Sequence, residues 1–460
     1  MNKIPVIAIF DVGKTNKKLF LFDEQYRIVF EKTARFIETT DEDGDACENI
    51  ESLRLSIYDS LKEIISLDEF DIKAVNFCTY GASLVYVDDK GTPLTPLYNY
   101  LKTYPAKLQQ QFYESYGGEN NFAHETASPV LGSLNSGMQL YRIKYEQPQI
   151  FDQIKYALHL PQYLSYLVTG IMCSDITSIG CHTNLWNFKN NNYHHWLTAE
   201  NAIQKLAPIE DGEKTFPATF FNHSFQAGIG LHDSSAALIP YLINFKEPFV
   251  LISTGTWCIS LNPFNSTALT TDELASDCLC YLDFRGRSVK ASRLFAGNEH
   301  EQQVKRIATH FNKTALHYRQ VEFDITIINK LAKNATEVFD YKNLKASVFA
   351  KRNLAVFSTD MEAYHQLVMD IIQQQYISTS LIIEGSNIGR IFVDGGFSKN
   401  AVFMNLLSIH FPGVEIYAAS MAQATAVGAA LSIHKAWNAK PIPNDIIELK
   451  YYAANHLSAT

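Results

Sequence analysis

The stretch FDVGKTNKKLFLFD contains Gly13-Lys14-Thr15, the three residues that end the commonest nucleotide-phosphate loop. That loop requires another glycine five positions before Gly13 and a helix directly after the threonine. Ala8 occupies the first of those positions, and the residues after Thr15 alternate between apolar and polar as a strand does. The sequence therefore excludes a P-loop and leaves two interpretations, a plain hairpin turn or a hairpin that binds phosphate.

Two glycine turns of similar composition could do phosphate chemistry. At the first turn the carboxylate of Asp11 could face a metal ion, and several surrounding side chains could bind phosphate: Lys14, Thr15, Asn16 and Lys18. The second turn, in ISTGTW, offers donors of the same kind between two apolar runs.

Two further stretches place polar residues between a strand and a helix. In AGIGLHDSSAALIP, Asp233 follows a glycine-rich run and precedes small residues that favour a helix. In FVDGGFSKN, three residues follow the strand: Gly395, Gly396 and Asn400. Asp233 could act as a general base, or it could cap the helix that begins at Ser234, which is a common use of aspartate.

The elements that must hold these turns repeat once along the chain. The first 35 residues predict a β-meander, followed by an amphipathic helix from Ile50 to Ile64 and a buried strand, IKAVNFC. A similar order begins near residue 248, with strands in PFVLISTG, TWCISLNPF, DCLCYLDF, RSVKAS and GRIFVDGG. We expect two related α/β domains, 1–243 and 244–460.

The composition excludes several classes of function. A net charge of −9 argues against a nucleic-acid-binding surface. The N-terminal residues lack the form of a signal peptide, and no apolar run approaches the length of a membrane span, so we expect no membrane partner. The seven cysteines are scattered without a C-x-x-C pair, a usage typical of the reducing cytoplasm, where we expect the protein to reside.

With these motifs in this order, the sequence resembles the FGGY carbohydrate kinases, and among them the rhamnulokinases and fuculokinases. The resemblance rests on the opening pattern D-x-G-x-[ST]-[NS]-x-[RK], the His232-Asp233 pair before small residues, and the STGTW turn. It extends to TYGASLVYVDDKGTPLTPLYNY, LPQYLSYLVTG and QATAVGAAL. It implies an α/β protein of two ribonuclease-H-like domains, the actin/hexokinase-like ATPase fold, flanking a catalytic cleft. It also implies an enzyme that phosphorylates a small-molecule sugar with ATP and Mg²⁺.

Carried over residue by residue, the resemblance assigns roles. Asp233 would be the general base, with His232 and Gly81 at the sugar, and Asp11 would act through Mg²⁺ or its waters. The implied nucleotide contacts are Gly13, Lys14, Thr15, Asn16 and Lys18 in the first hairpin, Thr254, Gly255 and Thr256 in the second, and Gly395, Gly396, Asn400 and, by a loose alignment, Gln302. The N-terminal domain would hold the sugar, the first hairpin and the base, and the C-terminal domain would hold the nucleotide.

The chain departs from the family pattern in the segment that shapes the sugar pocket. Where relatives carry W/Y-x-D-x-R, this chain has Tyr98-Asn99-Tyr100-Leu101-Lys102, so Tyr100 replaces the acid and Lys102 replaces the arginine. A tyrosine offers one hydroxyl and an apolar face in place of a carboxylate. With Tyr98 and Tyr100 at the sugar, the exchange favours a deoxyketose such as L-rhamnulose or L-fuculose.

Several other residues carry open interpretations. Lys14 stands where relatives usually have Ala, Thr or Ser, and it could face the triphosphate or solvent. Arg293 could contact sugar or phosphate, or form an ion pair at a domain interface. We expect Trp257 in the core, and we expect the adjacent His194 and His195 of NNNYHHW at the surface rather than at a metal.

Two alternatives remain beside a deoxyketose kinase. The first is a kinase of another ketose or polyol on the same fold, such as xylulose, ribulose or glycerol. The second is an actin-like ATPase switch protein, against which the His232-Asp233 pair and the sugar segment argue. A dehydrogenase lacks support because no G-x-G-x-x-G loop is present. The sequence determines neither the phosphorylated hydroxyl nor the oligomeric state, and a homodimer is compatible with it.

Overall fold

The computed structural model describes residues 3–14, 17–34, 38–333, 339–421 and 423–453. The chain forms two compact units. The first contains Met1–Asn244, Cys280–Ser288 and Ala422–Ile446, and the second contains Phe245–Leu279, Val289–Met421 and Ile447–Thr460. The predicted boundary between residues 243 and 244 does not account for two later segments, Cys280–Ser288 and Ala422–Ile446, which pack within the first unit.

The strands, in chain order, are β1 Ile4–Val12, β2 Lys17–Asp23, β3 Ile28–Ala34, β4 Glu38–Thr40, β5 Ala46–Glu48, β6 Phe70–Thr79, β7 Leu84–Val87, β8 Tyr156–His159, β9 Ser174–Asp175, β10 Trp186–Asn187, β11 Asn192–Tyr193, β12 Ile209–Glu210, β13 Thr215–Phe220, β14 His223–Gly228, β15 Leu231–His232, β16 Phe249–Thr254, β17 Cys258–Asn262, β18 Cys278–Leu282, β19 Ser288–Leu294, β20 Arg390–Gly395, β21 Glu415–Ser420 and β22 Glu448–Tyr452.

The α-helices are α1 Ile50–Ser66, α2 Ala106–Ser115, α3 Glu119–Thr126, α4 Ser136–Glu146, α5 Pro148–Gln153, α6 Leu160–Thr169, α7 Ile176–Ile179, α8 Trp196–Ala199, α9 Asp233–Asn244, α10 Thr271–Ala275, α11 Ala296–His310, α12 Ile325–Lys333, α13 Asp360–Ile383, α14 Ala401–His410, α15 Ala424–Ser432 and α16 His434–Trp437. Short 3₁₀ helices occupy Gly132–Leu134, Ile203–Lys205, Ala315–Gln320, Phe349–Lys351, Leu354–Val356 and Phe397–Lys399.

The first unit is built on a sheet with the strand order β13-β14-β6-β1-β2-β3, and β15 also pairs with β6. β1, β2 and β3 are successively antiparallel, so they form the meander that the sequence predicts. β6 runs parallel to β1, and the connection between them contains α1. The apolar stripe of α1 is buried against this sheet through Leu53, Ile57, Leu61 and Ile64.

A second hydrophobic core lies in the same unit and is rich in aromatic residues. Phe112 is at its centre, with ring centroids 4.8–5.4 Å from those of neighbouring aromatic side chains: Tyr113, Tyr116, Phe122, Tyr141 and Trp196. These residues come from the helices between β7 and β12, so this helical segment has a core of its own beside the sheet.

The second unit contains a sheet with the strand order β18-β19-β17-β16-β20-β21-β22. β16, β17 and β19 form an antiparallel meander, and β20 and β21 follow in parallel on the other side of β16. The first sheet has the same arrangement, with β1, β2 and β3 as the meander and β6 and β14 in parallel beside β1. This repeat confirms the predicted α/β class of two ribonuclease-H-like domains.

Among the helices of the described ranges, none combines the length with the apolar character that crossing a bilayer requires.

Helix α9 lies so close to α15 that the contact has no room for a side chain. A Cβ atom on Gly428 of α15 would lie 1.9 Å from the carbonyl oxygen of Ala236 in α9. That oxygen is a backbone atom, and a Cβ atom is bonded directly to the backbone. Since neither helix can yield by rotating a side chain, the glycine sets the distance between the two helices.

We expect Gly428→Ala to destabilise the first unit by about 1–3 kcal/mol, because the added methyl group must push α9 away from α15. Gly389→Ala is a matched control, since a Cβ atom there meets nothing within 4 Å. Differential scanning calorimetry of the two variants measures the difference. Equal thermal stability of both would contradict the packing constraint.

His159 ends β8 in a fully enclosed position. Its ring Nε2 lies 3.0 Å from the hydroxyl of Ser136. Burial, together with the nearby His232, lowers the pKa of His159 from 6.5 to about 3. The imidazole is therefore neutral in the folded protein over the range in which the unfolded chain takes up a proton.

Stability should consequently fall as the pH drops below 6.5, by about 1.4 kcal/mol per pH unit from this group, because only the unfolded state binds the proton. We expect His159→Gln to remove about 2 kcal/mol of the loss between neutral pH and about pH 5. Urea unfolding of both proteins at the two pH values tests this. An unchanged pH dependence in the variant would be inconsistent with a buried neutral His159.

Candidate active site

Asp233 is the first residue of α9 and directly follows the short strand β15. Its Oδ1 accepts hydrogen bonds from the backbone N–H of Ser234 at 2.6 Å and from the Ser234 hydroxyl at 3.2 Å. About a third of the side chain is exposed (34%). The carboxylate thus supports the helix terminus and is accessible at the same time, so the cap and general-base interpretations are compatible.

His232 and Gly81 lie beside this carboxylate. The ring Nε2 of His232 is 3.3 Å from Oδ1 of Asp233. Burial lowers the pKa of His232 against the opposing effect of Asp233, so the ring is neutral near pH 7. A Cβ atom at position 81 would come within 2.9 Å of the same Nε2, so the site requires glycine there. The structure brings these three predicted residues together.

Asp11 belongs to the same group of side chains. It lies near the end of β1, opposite Lys18 in the pairing with β2. Burial raises the pKa of Asp11 to about 6, and the negative charge of Asp233 contributes to the shift in the same direction. The two carboxylates therefore interact electrostatically, as expected for groups that share one site.

Two of the lysines predicted to bind phosphate in the first hairpin, Lys14 and Lys18, are described, whereas Thr15 and Asn16 lie outside the described residues. The ammonium of Lys18 is 2.8 Å from Oε1 of Glu31 on β3. The ammonium of Lys14, which follows Gly13, lies 3.5 Å from Oε1 of Glu48. Both cations thus have carboxylate neighbours within the first unit, and the predicted phosphate contacts of Gly13, Lys14 and Lys18 stay predictions.

Lys14 also stands over two tyrosine rings. Its Nζ is 5.4 Å from the ring centroid of Tyr80 and 5.5 Å from that of Tyr100, and the two rings are 5.7 Å apart. Burial raises the pKa of Tyr100, with Asp233 and then Glu48 as the next causes. Tyr100, the substitute for the family's acid, therefore lies in the electrostatic neighbourhood of Asp233.

Tyr98 and Lys102 occupy a separate polar cluster. The Tyr98 hydroxyl donates to Oε1 of Glu42 at 2.6 Å and accepts from the amide of Gln147 at 3.2 Å. The ammonium of Lys102 is 2.5 Å from Asp41. The cavity that Tyr98 and Lys102 line has a volume of about 20 Å³, which is room for about one water molecule. Both side chains thus have protein partners, and the predicted sugar contact of Tyr98 is untested.

In the second unit, the hydroxyl of Thr254 connects the turn after β16 with the turn after β20. It donates to the carbonyl of Asp394 at 2.5 Å and accepts from the backbone N–H of Phe397 at 3.0 Å. Gly395 adopts a φ of +90°, and a Cβ atom there would lie 2.0 Å from the Thr254 carbonyl oxygen. Gly255 and Thr256, which follow Thr254, are exposed. The second hairpin is therefore anchored by Thr254 and leaves its tip accessible.

A cavity of about 270 Å³ adjoins this hairpin within the second unit. Its lining includes the predicted residues Gly255, Gly396 and Asn400, and also Gly297, His300, Tyr318, Arg319, Tyr364, Phe397 and Lys399. Gln302, which was also predicted to contact the nucleotide, is exposed on α11. His300, two positions earlier on the same helix, lines the cavity.

Aromatic residues that the sequence analysis did not identify form one wall of this cavity. The rings of Tyr318 and Tyr364 stack with centroids 5.3 Å apart and an interplanar angle of 17°. The Tyr364 hydroxyl accepts from the Asn400 amide at 2.9 Å and lies 3.2 Å from Nε2 of His300. Burial lowers the pKa of His300 to about 4, so its ring is neutral. No sequence pattern joins these residues, because they come from separate elements.

Arg293 forms an ion pair, and Trp257 differs from expectation. The guanidinium of Arg293 pairs with both oxygens of Asp277, at 2.7 and 3.1 Å, within the second unit. Trp257 was expected in the core, but 42% of it is exposed, and its ring packs on Phe295 with centroids 4.5 Å apart. The apolar run that suggested a buried tryptophan ends at the turn, where the side chain turns outward. The substrate role predicted for Arg293 is untested.

His194 and His195 differ in their exposure to solvent. His195 is exposed as expected, whereas His194 is buried. Its Nε2 lies 2.9 Å from Oε2 of Glu125, and its Nδ1 accepts from the backbone N–H of Trp196 at 3.3 Å. The side chains of Glu125, His194 and His195 are close enough to hold a metal ion, but both ring nitrogens of His194 already have hydrogen-bond partners.

Comparison with known proteins covers both units. Residues 6–239 match the N-terminal domain of the FGGY family of carbohydrate kinases, and residues 246–441 match the C-terminal domain of carbohydrate kinase FGGY. The chain is 22% identical over 427 residues to a rhamnulokinase of Mannheimia succiniciproducens, which corresponds to 90% of this chain and 86% of that protein.

Two solved structures share the fold. A carbohydrate kinase from Novosphingobium aromaticivorans has a TM-score of 0.79 and 22% identity, with 98% of this chain and 95% of that chain covered. A xylulose kinase from Rhodospirillum rubrum has a TM-score of 0.81 and 14% identity, with 98% and 94% covered. With both of its units matched by the two domains of one family, the chain belongs to the FGGY carbohydrate kinases and is an ATP-dependent sugar kinase.

Proposed function

We propose that this kinase transfers the γ-phosphate of ATP to a hydroxyl of a ketose, with Asp233 as the general base. The observation that carries the proposal is the position of Asp233, partly exposed at the start of α9 and in contact with His232. A hydroxyl is a poor nucleophile while it holds its proton, so a carboxylate within reach accelerates its attack. The oxygen then bonds to the γ-phosphorus, the bond to ADP breaks, and Asp233 holds the proton.

We assign the nucleotide to the second unit. A cavity of about 270 Å³ lined by apolar and polar side chains, among them Tyr318, Tyr364 and Asn400, suits the adenosine part of ATP, since ligand pockets combine apolar surface with a few polar groups that fix orientation. The exposed tip of the second hairpin, at Gly255 and Thr256, adjoins this cavity and offers backbone and hydroxyl donors to the phosphates. Positioning of this kind supplies most of the catalysis in phosphoryl transfer.

We propose Mg²⁺ as the divalent ion that accompanies ATP. Asp11 and Asp233 provide hard carboxylate oxygens, and their mutual repulsion contributes to the raised pKa of Asp11. A site that places two carboxylates so that the charge of one raises the pKa of the other fits a divalent cation. When bound, Mg²⁺ would neutralise charge on the transferring phosphoryl group.

We propose that the sugar is a deoxyketose such as L-rhamnulose or L-fuculose. Near Asp233 this chain presents the packed rings of Tyr80 and Tyr100 where relatives have a carboxylate. Lys102, which replaces the family's arginine, is engaged with Asp41 and Asp43. The aromatic faces suit a substrate carbon that lacks a hydroxyl, because a buried hydroxyl without a partner is costly.

Replacement of Asp233 by asparagine should lower kcat by roughly 10²–10⁴-fold, because the amide cannot accept the proton of the sugar hydroxyl. The fold should persist, since asparagine is equally favoured at a helix N-terminus. Coupled ADP release with saturating sugar and ATP measures the effect. Asp324→Asn is the matched control, because Asp324 also accepts from the helix start, at Thr326, and lies in the second unit. Turnover of Asp233→Asn near that of the unaltered enzyme would refute the assignment.

Across a panel of substrates, L-rhamnulose and L-fuculose should give kcat/KM values about 10- to 100-fold above those of D-xylulose, L-ribulose and glycerol. ADP release identifies turnover, and mass spectrometry identifies the phosphorylated product. Preference for xylulose or glycerol would establish the alternative kinase. ATP hydrolysis that ignores every sugar and yields no sugar phosphate would instead favour an ATPase switch protein.

A further inference from the structure

Behind His232 and Asp233, within the first unit, lies a short chain of buried hydrogen bonds. The backbone N–H of His232 donates to the hydroxyl of Thr177, with 2.9 Å between N and Oγ1. The same hydroxyl donates its proton to Oδ2 of Asp175. A hydroxyl with one donor and one acceptor partner has a fixed orientation. The amide of His232 is thus linked through Thr177 to a carboxyl group.

This chain is sealed from solvent. Asp175 and Thr177 are each 0% exposed, and His232 is 3% exposed. Oδ2 of Asp175 also accepts from the backbone N–H groups of Thr177 at 2.9 Å and Ser178 at 3.0 Å, so the carboxyl fixes the start of α7. Since water does not replace a lost partner at a buried amide, breaking either hydrogen bond would force the backbone at His232 to move.

The backbone at His232 is also held by strand pairing. β15 consists of Leu231 and His232 alone, which pair with Cys78 and Thr79 of β6. The next residue, Asp233, already belongs to α9. The chain must change from extended to helical conformation within one residue, so the position of the Asp233 carboxylate follows directly from that of the His232 peptide.

We propose that Thr177 and Asp175 are positioning residues of the phosphoryl transfer, which hold the His232 peptide so that Asp233 stays within reach of the sugar hydroxyl. The inference rests on the proposed function, in which Asp233 is the general base. Neither residue contacts the substrate, and both act through the backbone of His232. A displacement of about 1 Å at a reacting group can cost roughly 100-fold in rate, so a single lost hydroxyl is sufficient to lower turnover.

The test compares Thr177→Val, which keeps the shape and removes the hydroxyl, with Thr177→Ser, which keeps the hydroxyl. We expect Thr177→Val to lower kcat about 10- to 100-fold with an unchanged KM for ATP, and Thr177→Ser to stay within about threefold of the unaltered enzyme. Thr126→Val is the matched control, since Thr126 is also buried and donates within α3, to the Phe122 carbonyl. Thermal unfolding should change similarly in both valine variants, while only Thr177→Val loses turnover.

A double-mutant cycle separates this inference from the function on which it rests. In an Asp233→Asn background, Thr177→Val should lower the residual rate less than about threefold, because the group that it positions is gone. Equal kcat in Thr177→Val and Thr126→Val, no rescue by serine, or additive losses in the cycle would each overturn the positioning role. Near-normal turnover of Asp233→Asn alone would overturn the proposed function instead.

Discussion

The start of helix α9 is the constraint on which the site in the first unit depends. Pairing with β6 holds His232 from one neighbour, and the Thr177 hydroxyl holds its amide from another. Farther along α9, Gly428 of α15 approaches the helix backbone with no room for a side chain. A carboxylate at the first residue of such a fixed helix can be partly exposed without being mobile. Rigid support of an accessible group is what proton transfer at a defined distance requires.

The second unit meets a similar demand with a threonine hydroxyl of its own. Its glycine turn follows β16, and the Thr254 hydroxyl connects that turn to the end of β20 through Asp394 and Phe397. The connection occupies the hydroxyl, so Thr254 holds the turn in place while the exposed Gly255 and Thr256 are available to a ligand. In both units, a buried threonine hydroxyl bonded on both sides fixes a strand end beside accessible polar residues.

Local pattern was sufficient for much of the fold. The meander of β1–β3, helix α1 and the succession of strands from β16 to β20 along the chain follow from alternation, spacing and glycine turns, and the family motifs single out Asp233 and its neighbours as candidates. Features that depend on distant contacts were not predictable. Tyr318 and Tyr364 stack across separate helices, and Thr177 reaches His232 from another segment. His194 is buried although its Asn-rich surroundings suggest a surface loop, because Glu125 and Trp196 supply its partners.

Lys14 makes the opening stretch look like a P-loop, but its contacts in the folded protein are not evident from the sequence. Glu48 is shared between Lys14 and Lys17, at 3.5 and 3.0 Å, and also accepts from the Tyr80 hydroxyl at 2.9 Å. Glu48 thus faces two cations, and the ammonium of Lys14 lies over the rings of Tyr80 and Tyr100, where cation–π attraction holds it. Lys14 therefore belongs with the tyrosines that distinguish the sugar segment of this chain. Lys14 can contact a phosphate only from this position over the rings of Tyr80 and Tyr100.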